Sequence, residues 1–247
     1  MIKYIFLGIA QGFTEFLPVS SSGHLVVLQR IFGINANQVA ISVVLHLGTL
    51  LAVIVFFWKD ILGLLRDLKL LSLAAVVTLI TGTIGVLGKD FFEGLFASTK
   101  AVAVAWIFTG FLLISTKKIT RLDRNKLNLK DALILGLTQA LAIMPGVSRA
   151  GITISTLFFR RVTRHLAFTF SFLVSIPIIL GATALEARKI EAVPEGDIKN
   201  LVTGFIFSFL AGMLALLFLR LIINKARFYY FGYYCILIAA ITLLFIR

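Results

Sequence analysis

Two polar stretches interrupt an otherwise apolar chain, and they hold most of its reactive side chains. The first runs from Gln11 through Glu15, Pro18, Ser20, Ser21, Ser22 and Gly23 to His24. The second runs from Gln139 through Pro145, Gly146, Ser148, Arg149 and Gly151 to Thr153. Set against each other without gaps from Leu7 and Leu135, they share Leu, Gly, Gln, Val, Ser and Gly at matching places. A carboxylate, an imidazole, a guanidinium and several hydroxyls are costly inside a bilayer, so they mark a functional site where the two stretches meet. Gln11 and Glu15, four apart, share a helix face. Glu15 offers a ligand for a hard cation, a general base or a partner for Arg149. One carboxylate plus substrate phosphates is a usual Mg²⁺ arrangement, and oxygen ligands suit Ca²⁺ as well. Ser20, Ser21 and Ser22 beside His24 offer a nucleophile with a base nearby, although clustered serines also cap and pack helices. Arg149 requires an anion, and its planar fork fits phosphate or carboxylate at two points. Backbone N–H groups at Gly146 and Gly151 and the hydroxyls of Ser148 and Thr153 would serve the same anion. A structural Glu15–Arg149 ion pair competes with this reading and can coexist with it while no substrate is bound.

The elements that must position these groups follow from hydropathy. Of 247 residues, 60% are hydrophobic and 14% charged, and the mean hydropathy is +1.03. Composition therefore excludes a soluble domain and specifies an all-α polytopic membrane protein. A single integral membrane domain over 1–247 is expected, with no linker to a second one. Six segments, near 38–57, 70–88, 100–116, 165–186, 200–222 and 229–246, approach the roughly 20 apolar residues that cross a bilayer. Segments 2–30 and 131–160 are apolar at both ends but broken by Pro18 and Gly23, and by Pro145, Gly146 and Gly151. Broken backbone at membrane depth survives only inside protein or along a wet cavity, so both read as re-entrant helix–loop–helix hairpins.

Charge sets the expected orientation. Lys117, Lys118, Arg121, Arg124, Lys126 and Lys130, with Arg160, Arg161, Arg164, Arg220, Lys225 and Arg227, mark a cytoplasmic side, joined by Lys59, Arg66 and Lys69. Loops 89–99 and 187–199 are balanced, with Glu191, Glu195 and Asp197 offsetting Arg188, Lys189 and Lys199, and belong outside. The first hairpin, with residues 1–37 outside, and the second then enter from opposite faces. The result is an inverted-topology repeat, about 1–116 and 131–246, with its site near the midplane. The net charge of +13 fits topology and anionic lipid headgroups, not nucleic acid. Lone Cys235 excludes a disulfide framework, and no cleavable signal peptide is expected at the N-terminus. His46 reads as a packing or inter-helix hydrogen-bond residue, His165 as a boundary residue, Gln139 as a structural counterpart of Gln11, and Tyr229, Tyr230, Tyr233 and Tyr234 as an interfacial belt.

The stretch Gln11-Gly12-Phe13-Thr14-Glu15-Phe16-Leu17-Pro18-Val19-Ser20-Ser21-Ser22-Gly23-His24-Leu25 resembles the first signature of the bacitracin-resistance type undecaprenyl-diphosphatases. Pro145-Gly146-Val147-Ser148-Arg149-Ala150-Gly151-Ile152-Thr153 resembles their second. The resemblance covers essentially the whole chain. It implies hydrolysis of undecaprenyl diphosphate to the monophosphate, on the outer side of a bacterial inner membrane, recycling the carrier lipid of cell-wall synthesis and conferring bacitracin resistance. It also implies a catalytic set of Glu15, Ser21, His24 and Arg149. Glu15 would be the metal or acid/base residue, Gln11 the leading residue of its motif, Ser21 the nucleophile and His24 its base or a proton donor. Arg149 would hold the diphosphate, helped by Ser20, Ser148 and Thr153, and a divalent cation, Mg²⁺ or Ca²⁺, would assist. Ala150 departs from the pattern, which commonly has a second serine there. Direct attack by water remains an alternative to phosphoserine formation. A transporter or flippase of a polyprenyl phosphate, with the same fold, is the competing function. Oligomeric state stays open, a homodimer among the options.

Overall fold

A computed structural model describes residues 1–33, 38–190 and 195–245, without side-chain detail for 195–197. Glu191, part of the expected charge balance of the 187–199 loop, lies outside the described residues, as do residues 34–37 and 246 and the side chains of Glu195 and Asp197. The described residues are mostly helical, joined by short turns and one longer loop at 119–128. The helices are α1 (Ile2–Phe16), α2 (Ser21–Ile31), α3 (Gln38–Phe56), α4 (Trp58–Arg66), α5 (Leu68–Leu87), α6 (Lys89–Phe96), α7 (Thr99–Ser115), α8 (Leu129–Ala140), α9 (Arg149–Phe159), α10 (Arg164–Ala187), α11 (Glu195–Asn224) and α12 (Tyr230–Phe245). Five helical stretches are long and apolar enough to cross a bilayer: Gln38–Phe56, Leu68–Leu87, Thr99–Lys118, Arg164–Ala187 and Ile198–Asn224. The sixth expected span, α12, is apolar but only 16 residues long.

Both broken segments fold as expected of their Pro and Gly content. The first is α1 and α2 separated at 17–20. The second is α8, a 3₁₀ turn at Leu141–Ile143 and α9, so it starts two residues before the expected 131. Side chains supply what the helix starts lack. Asn128 accepts from the Asp131 N–H at 3.0 Å while Asp131 accepts from the Asn128 N–H, a reciprocal cap on α8. Ser98 caps α7 and Ser148 caps α9 by accepting from Ala101 and Gly151.

Packing follows a reciprocal plan. α1, from the first broken segment, lies along α11, while α8, from the second, lies along α5. α11 also packs on α3 and α5 on α10, and the pairs α3–α10 and α7–α12 join corresponding members of the two halves. Helices in lipid gain little from apolar attraction alone and associate through close backbone approach at small residues. The α1–α11–α3 seam is built this way. A Cβ on Gly8 would stand 2.5 Å from the Gly204 carbonyl, and one on Gly12 2.6 Å from both Ala211 Cβ and the Ser208 carbonyl. Across the seam Ser208 donates to the Leu45 carbonyl at 2.8 Å.

Two polar clasps tie the ends together. Arg124 and Arg160 both bond the buried Asp131 carboxylate, at 2.7 and 2.8 Å, and Arg161 and Arg121 bond Asp123. Loop 119–128 is thereby fixed to the 160–163 turn, helped by Arg124 N–H to the Arg161 carbonyl at 2.9 Å. Elsewhere Lys189 donates to Glu93 at 2.8 Å and to Glu186, joining α6 to the end of α10.

The seam leads to a test. Gly12→Val has no room to relax against backbone atoms, and overpacking of this kind costs about 1–3 kcal/mol. A lowered unfolding midpoint in detergent is expected; unchanged stability would mean that α1 does not rest on α11.

Candidate active site

The two loops meet beside α7, which holds both. Trp106 Nε1 donates to the Val19 carbonyl at 2.7 Å, and Thr109 Oγ1 donates to the Gly146 carbonyl at 3.0 Å. Thr109 Oγ1 also accepts from the Ser148 N–H at 3.2 Å. Trp106 and Thr109 are three apart, so one helix face serves two loops. From α12, Cys235 Sγ approaches the Pro18 carbonyl at 3.5 Å. Two residues adopt left-handed backbone at the junction: Gly146 at φ +99° and Ser20 at +68°. At Gly146 a Cβ would also meet the Val102 carbonyl at 2.4 Å, so only glycine fits. Ser20, which lacks that freedom, is held by its hydroxyl, which accepts from the Gly146 N–H at 3.1 Å and from Gly23. The strain is thus stabilised by a direct bond between the two loops.

Glu15 is the hub. Its Oε1 accepts from Arg149 Nη2 at 2.5 Å; its Oε2 accepts from Ser21 Oγ at 2.5 Å and from Gln11 Nε2 at 3.1 Å. His46 Nε2 lies 3.7 Å from the same Oε2, with its Nδ1 held by the Ser42 carbonyl at 2.8 Å. His46 thus makes an inter-helix polar contact, and α3 carries it beside Glu15, a neighbour that an apolar helical run does not reveal. Arg149, first residue of α9, lies over the Phe172 ring at 5.7 Å, and its Nη1 is buried without a partner. Gln11 Oε1 is buried and unpartnered too.

His24 takes a different place from the one expected. Its Nδ1 donates to the Ser20 carbonyl at 2.7 Å and its Nε2 accepts from Tyr234 Oη at 2.8 Å, so it is not hydrogen-bonded to Ser21. On α2 the ring points away from Glu15, stacked on Tyr234 and edge-on to Trp106. The hydroxyl of Ser21 faces the carboxylate instead. Tyr234 is likewise more than a belt residue, since its phenol reaches inward to the imidazole.

Three expected anion contacts are committed to structure. Ser148 Oγ caps α9, Ser20 Oγ braces the loops, and Thr153, fully buried, donates to the Arg149 carbonyl at 2.8 Å and bonds Ser171. They shape the seat of Arg149 without lining it with free hydroxyls. Sequence reading also missed Trp106, Thr109 and Tyr234. The signal was slight: polar atoms within apolar helices whose partners are far along the chain.

No group of three or more His, Cys, Asp and Glu side chains gathers among the described residues. The donors beside Glu15 are mostly oxygens, its carboxylate, the orphaned Gln11 Oε1 and Ser21 Oγ, with His46 Nε2 a single nitrogen at 3.7 Å. That set fits a hard cation that keeps water or phosphate in its remaining positions, and it does not fit a soft or imidazole-rich metal site.

Comparison with known proteins identifies the family of the chain. A sequence profile of the family described as Bacitracin resistance protein BacA matches residues 4–241. A protein of Halothermothrix orenii named undecaprenyl-diphosphatase is 39% identical over 95% of this chain and 94% of its own. Proteins of the same name from Alkaliphilus metalliredigens and Thermosipho africanus are each 39% identical over 98% of both chains. With five membrane-length helices and a match over nearly its whole length, the chain is a multi-pass membrane protein that belongs to the bacitracin resistance protein BacA family.

Proposed function

We propose that this protein hydrolyses undecaprenyl diphosphate to undecaprenyl phosphate and inorganic phosphate. The observation that carries the reading is the Glu15 carboxylate holding Ser21 on one oxygen and Arg149 on the other, in a chain whose relatives bear that enzyme's name. The diphosphate displaces Glu15 from Arg149 and engages both guanidinium nitrogens, one of which already lacks a partner. Charge developing on the phosphoryl oxygens is then met by a fixed cation in a water-poor site, where preorganised electrostatics act most strongly. Ser21 Oγ attacks the terminal phosphorus, its proton passes to Glu15, and the anhydride P–O bond breaks to release the lipid monophosphate. Glu15 passes that proton to the leaving phosphate oxygen, then deprotonates the water that cleaves the phosphoserine and returns the second proton to Ser21 Oγ as inorganic phosphate departs. Residues Glu15, Gln11 and Ser21 would hold the divalent cation, Mg²⁺ or Ca²⁺. When bound, that ion supplies neutralisation of phosphate charge. His24 and Tyr234 keep Ser20, and through it Ser21, in register.

The finer topology belongs to the same proposal. Six spans and two re-entrant hairpins in an inverted repeat are supported by the reciprocal α1–α11 and α8–α5 packing. Bonds between Lys189 and Glu93, and between Asp131 and two arginines, support grouping loops 89–99 with 187–190 and 117–130 with 160–164. The basic group is assigned to the cytoplasm and the active site to the outer face of a bacterial inner membrane. Lipid transport without cleavage is separated from this reading by phosphate release in detergent, where nothing can be transported.

Glu15→Ala, Ser21→Ala and Arg149→Ala are each expected to lower kcat for phosphate release at least about 100-fold, roughly 2.7 kcal/mol. Near-normal turnover in folded Ser21→Ala would assign the attack to water. Chelation should abolish release and Mg²⁺ or Ca²⁺ restore it, with Gln11→Ala raising the cation concentration required about tenfold. Activity indifferent to chelator removes the ion from the mechanism. Tyr234→Phe deletes one hydrogen bond worth about 1 kcal/mol, so kcat should fall about fivefold with KM nearly unchanged. An altered KM at constant kcat would make Tyr234 a substrate contact.

A further inference from the structure

A second polar cavity lies where the α3–α4 junction, the start of α10 and the end of α11 converge. Arg164, His165, Arg220 and Asn224 surround one part of it, over Phe168 and Ile223. An adjoining part of about 160 Å³ reaches between Phe56, Phe57, Asp60 and Thr169 and shares His165, Phe168 and Arg220 with the first. At about 30 Å³ per water, that volume holds a group of several heavy atoms, such as a phosphate.

The charges there are uncommitted. Neighbouring Arg160 and Arg161 spend theirs on Asp131 and Asp123. Arg164 and Arg220 make no ion pair or hydrogen bond among the described residues, and Asp60 lines the same cavity without pairing to either. Thr163 precedes α10 without capping it through its side chain, so the first-turn amides add positive potential beside Arg164. The cavity is also separate from the Glu15–Arg149 site. Phe172, which carries Arg149 on one side, stacks at 5.6 Å on Phe57 and packs at 5.1 Å on Phe168. Those last two rings form the wall of the second cavity.

We propose that this cavity is a second anion site, which takes the phosphodiester of a membrane lipid bearing a hydroxylated headgroup. The two guanidiniums and one carboxylate leave a single net positive charge among them, which matches a diester better than a doubly charged monoester. Asp60, an acceptor, and Thr169 suit headgroup hydroxyls. The lipid source follows from the surroundings: Leu217, Phe218 and Leu221, within three residues of Arg220 on α11, and Trp58 and Leu62, within two of Asp60 on α4, are exposed. Basic pockets between membrane helices on the cytoplasmic side are suited to such headgroups.

The test uses the purified chain in neutral detergent, its unfolding midpoint followed against added phosphatidylglycerol, phosphatidylcholine, farnesyl phosphate or sodium phosphate. Phosphatidylglycerol should stabilise wild type and Arg149→Gln alike, which keeps this site distinct from the proposed hydrolytic one. R164Q/R220Q should lose at least about tenfold in apparent affinity, while R164K/R220K keeps most of it. If the double glutamine variant does not fold, single R164Q and R220Q carry the test, each weakening phosphatidylglycerol at least about threefold. An equal response in the glutamine variants, or an equal effect of phosphatidylcholine, overturns the site. Stabilisation by sodium phosphate at the same concentration overturns the lipid assignment, and preference for farnesyl phosphate overturns the diester.

Discussion

A full negative and a full positive charge, one from each half of the chain, meet at 2.5 Å between Glu15 and Arg149. Neither could stay ionised by itself inside the packed helices, because removing an isolated ion from water costs far more than one protein contact returns. The pair therefore fixes how the halves are assembled. Each loop must arrive with its backbone polar groups satisfied, and each helix bearing a charge must be held to within a fraction of an ångström. Glycine seams let α1 approach α11 closely, so Glu15 is anchored by packing. Arg149 is anchored by the Ser148 cap and by Phe172 beneath its guanidinium.

α7 resolves the conflict that such a design creates. Loops broken enough to present a site have carbonyls and amides that lipid cannot satisfy. Trp106 and Thr109 satisfy three of them from a single helical face, and Ser20 satisfies a fourth across the loops. The rigid helix is thus the reference against which both hairpins are measured. His24 and Tyr234 extend the brace toward α12.

Much of this was legible in the sequence. Pro18, Gly23, Pro145, Gly146 and Gly151 marked the breaks because proline and glycine interrupt helices by covalent geometry alone. Glu15 and Arg149 were legible because buried charge needs a reason and a partner, and the repeat suggested that they would meet. The roles of hydroxyls were not legible. Ser20, Ser148 and Thr153 could cap, brace or bind substrate, and only the position of the nearest unsatisfied amide or carbonyl decides. His46, Trp106, Thr109 and Tyr234 stayed hidden because they sit singly on apolar helices whose neighbours are set by tertiary packing. The extent of α12 was legible to within a residue at each end, 229–246 expected against Tyr230–Phe245, because Lys225 and Arg227 mark where the apolar run begins.

The repeat has one more consequence. Position by position, Ile143 stands where Glu15 does, Arg149 where Ser21 does, and Ile152 where His24 does, while Gln139 keeps the amide of Gln11. Gln139 is buried with an unpartnered oxygen of its own and donates to Thr81 at 3.2 Å. The second hairpin thus preserves the scaffold of the first but has lost its carboxylate and imidazole, contributing a cation instead. The molecule carries within itself a counterpart without the carboxylate and imidazole, against which the minimum needed to build such a loop can be read by subtraction. What survives in both halves, the glutamine, the serine cap and the glycine, is architecture; what differs is chemistry.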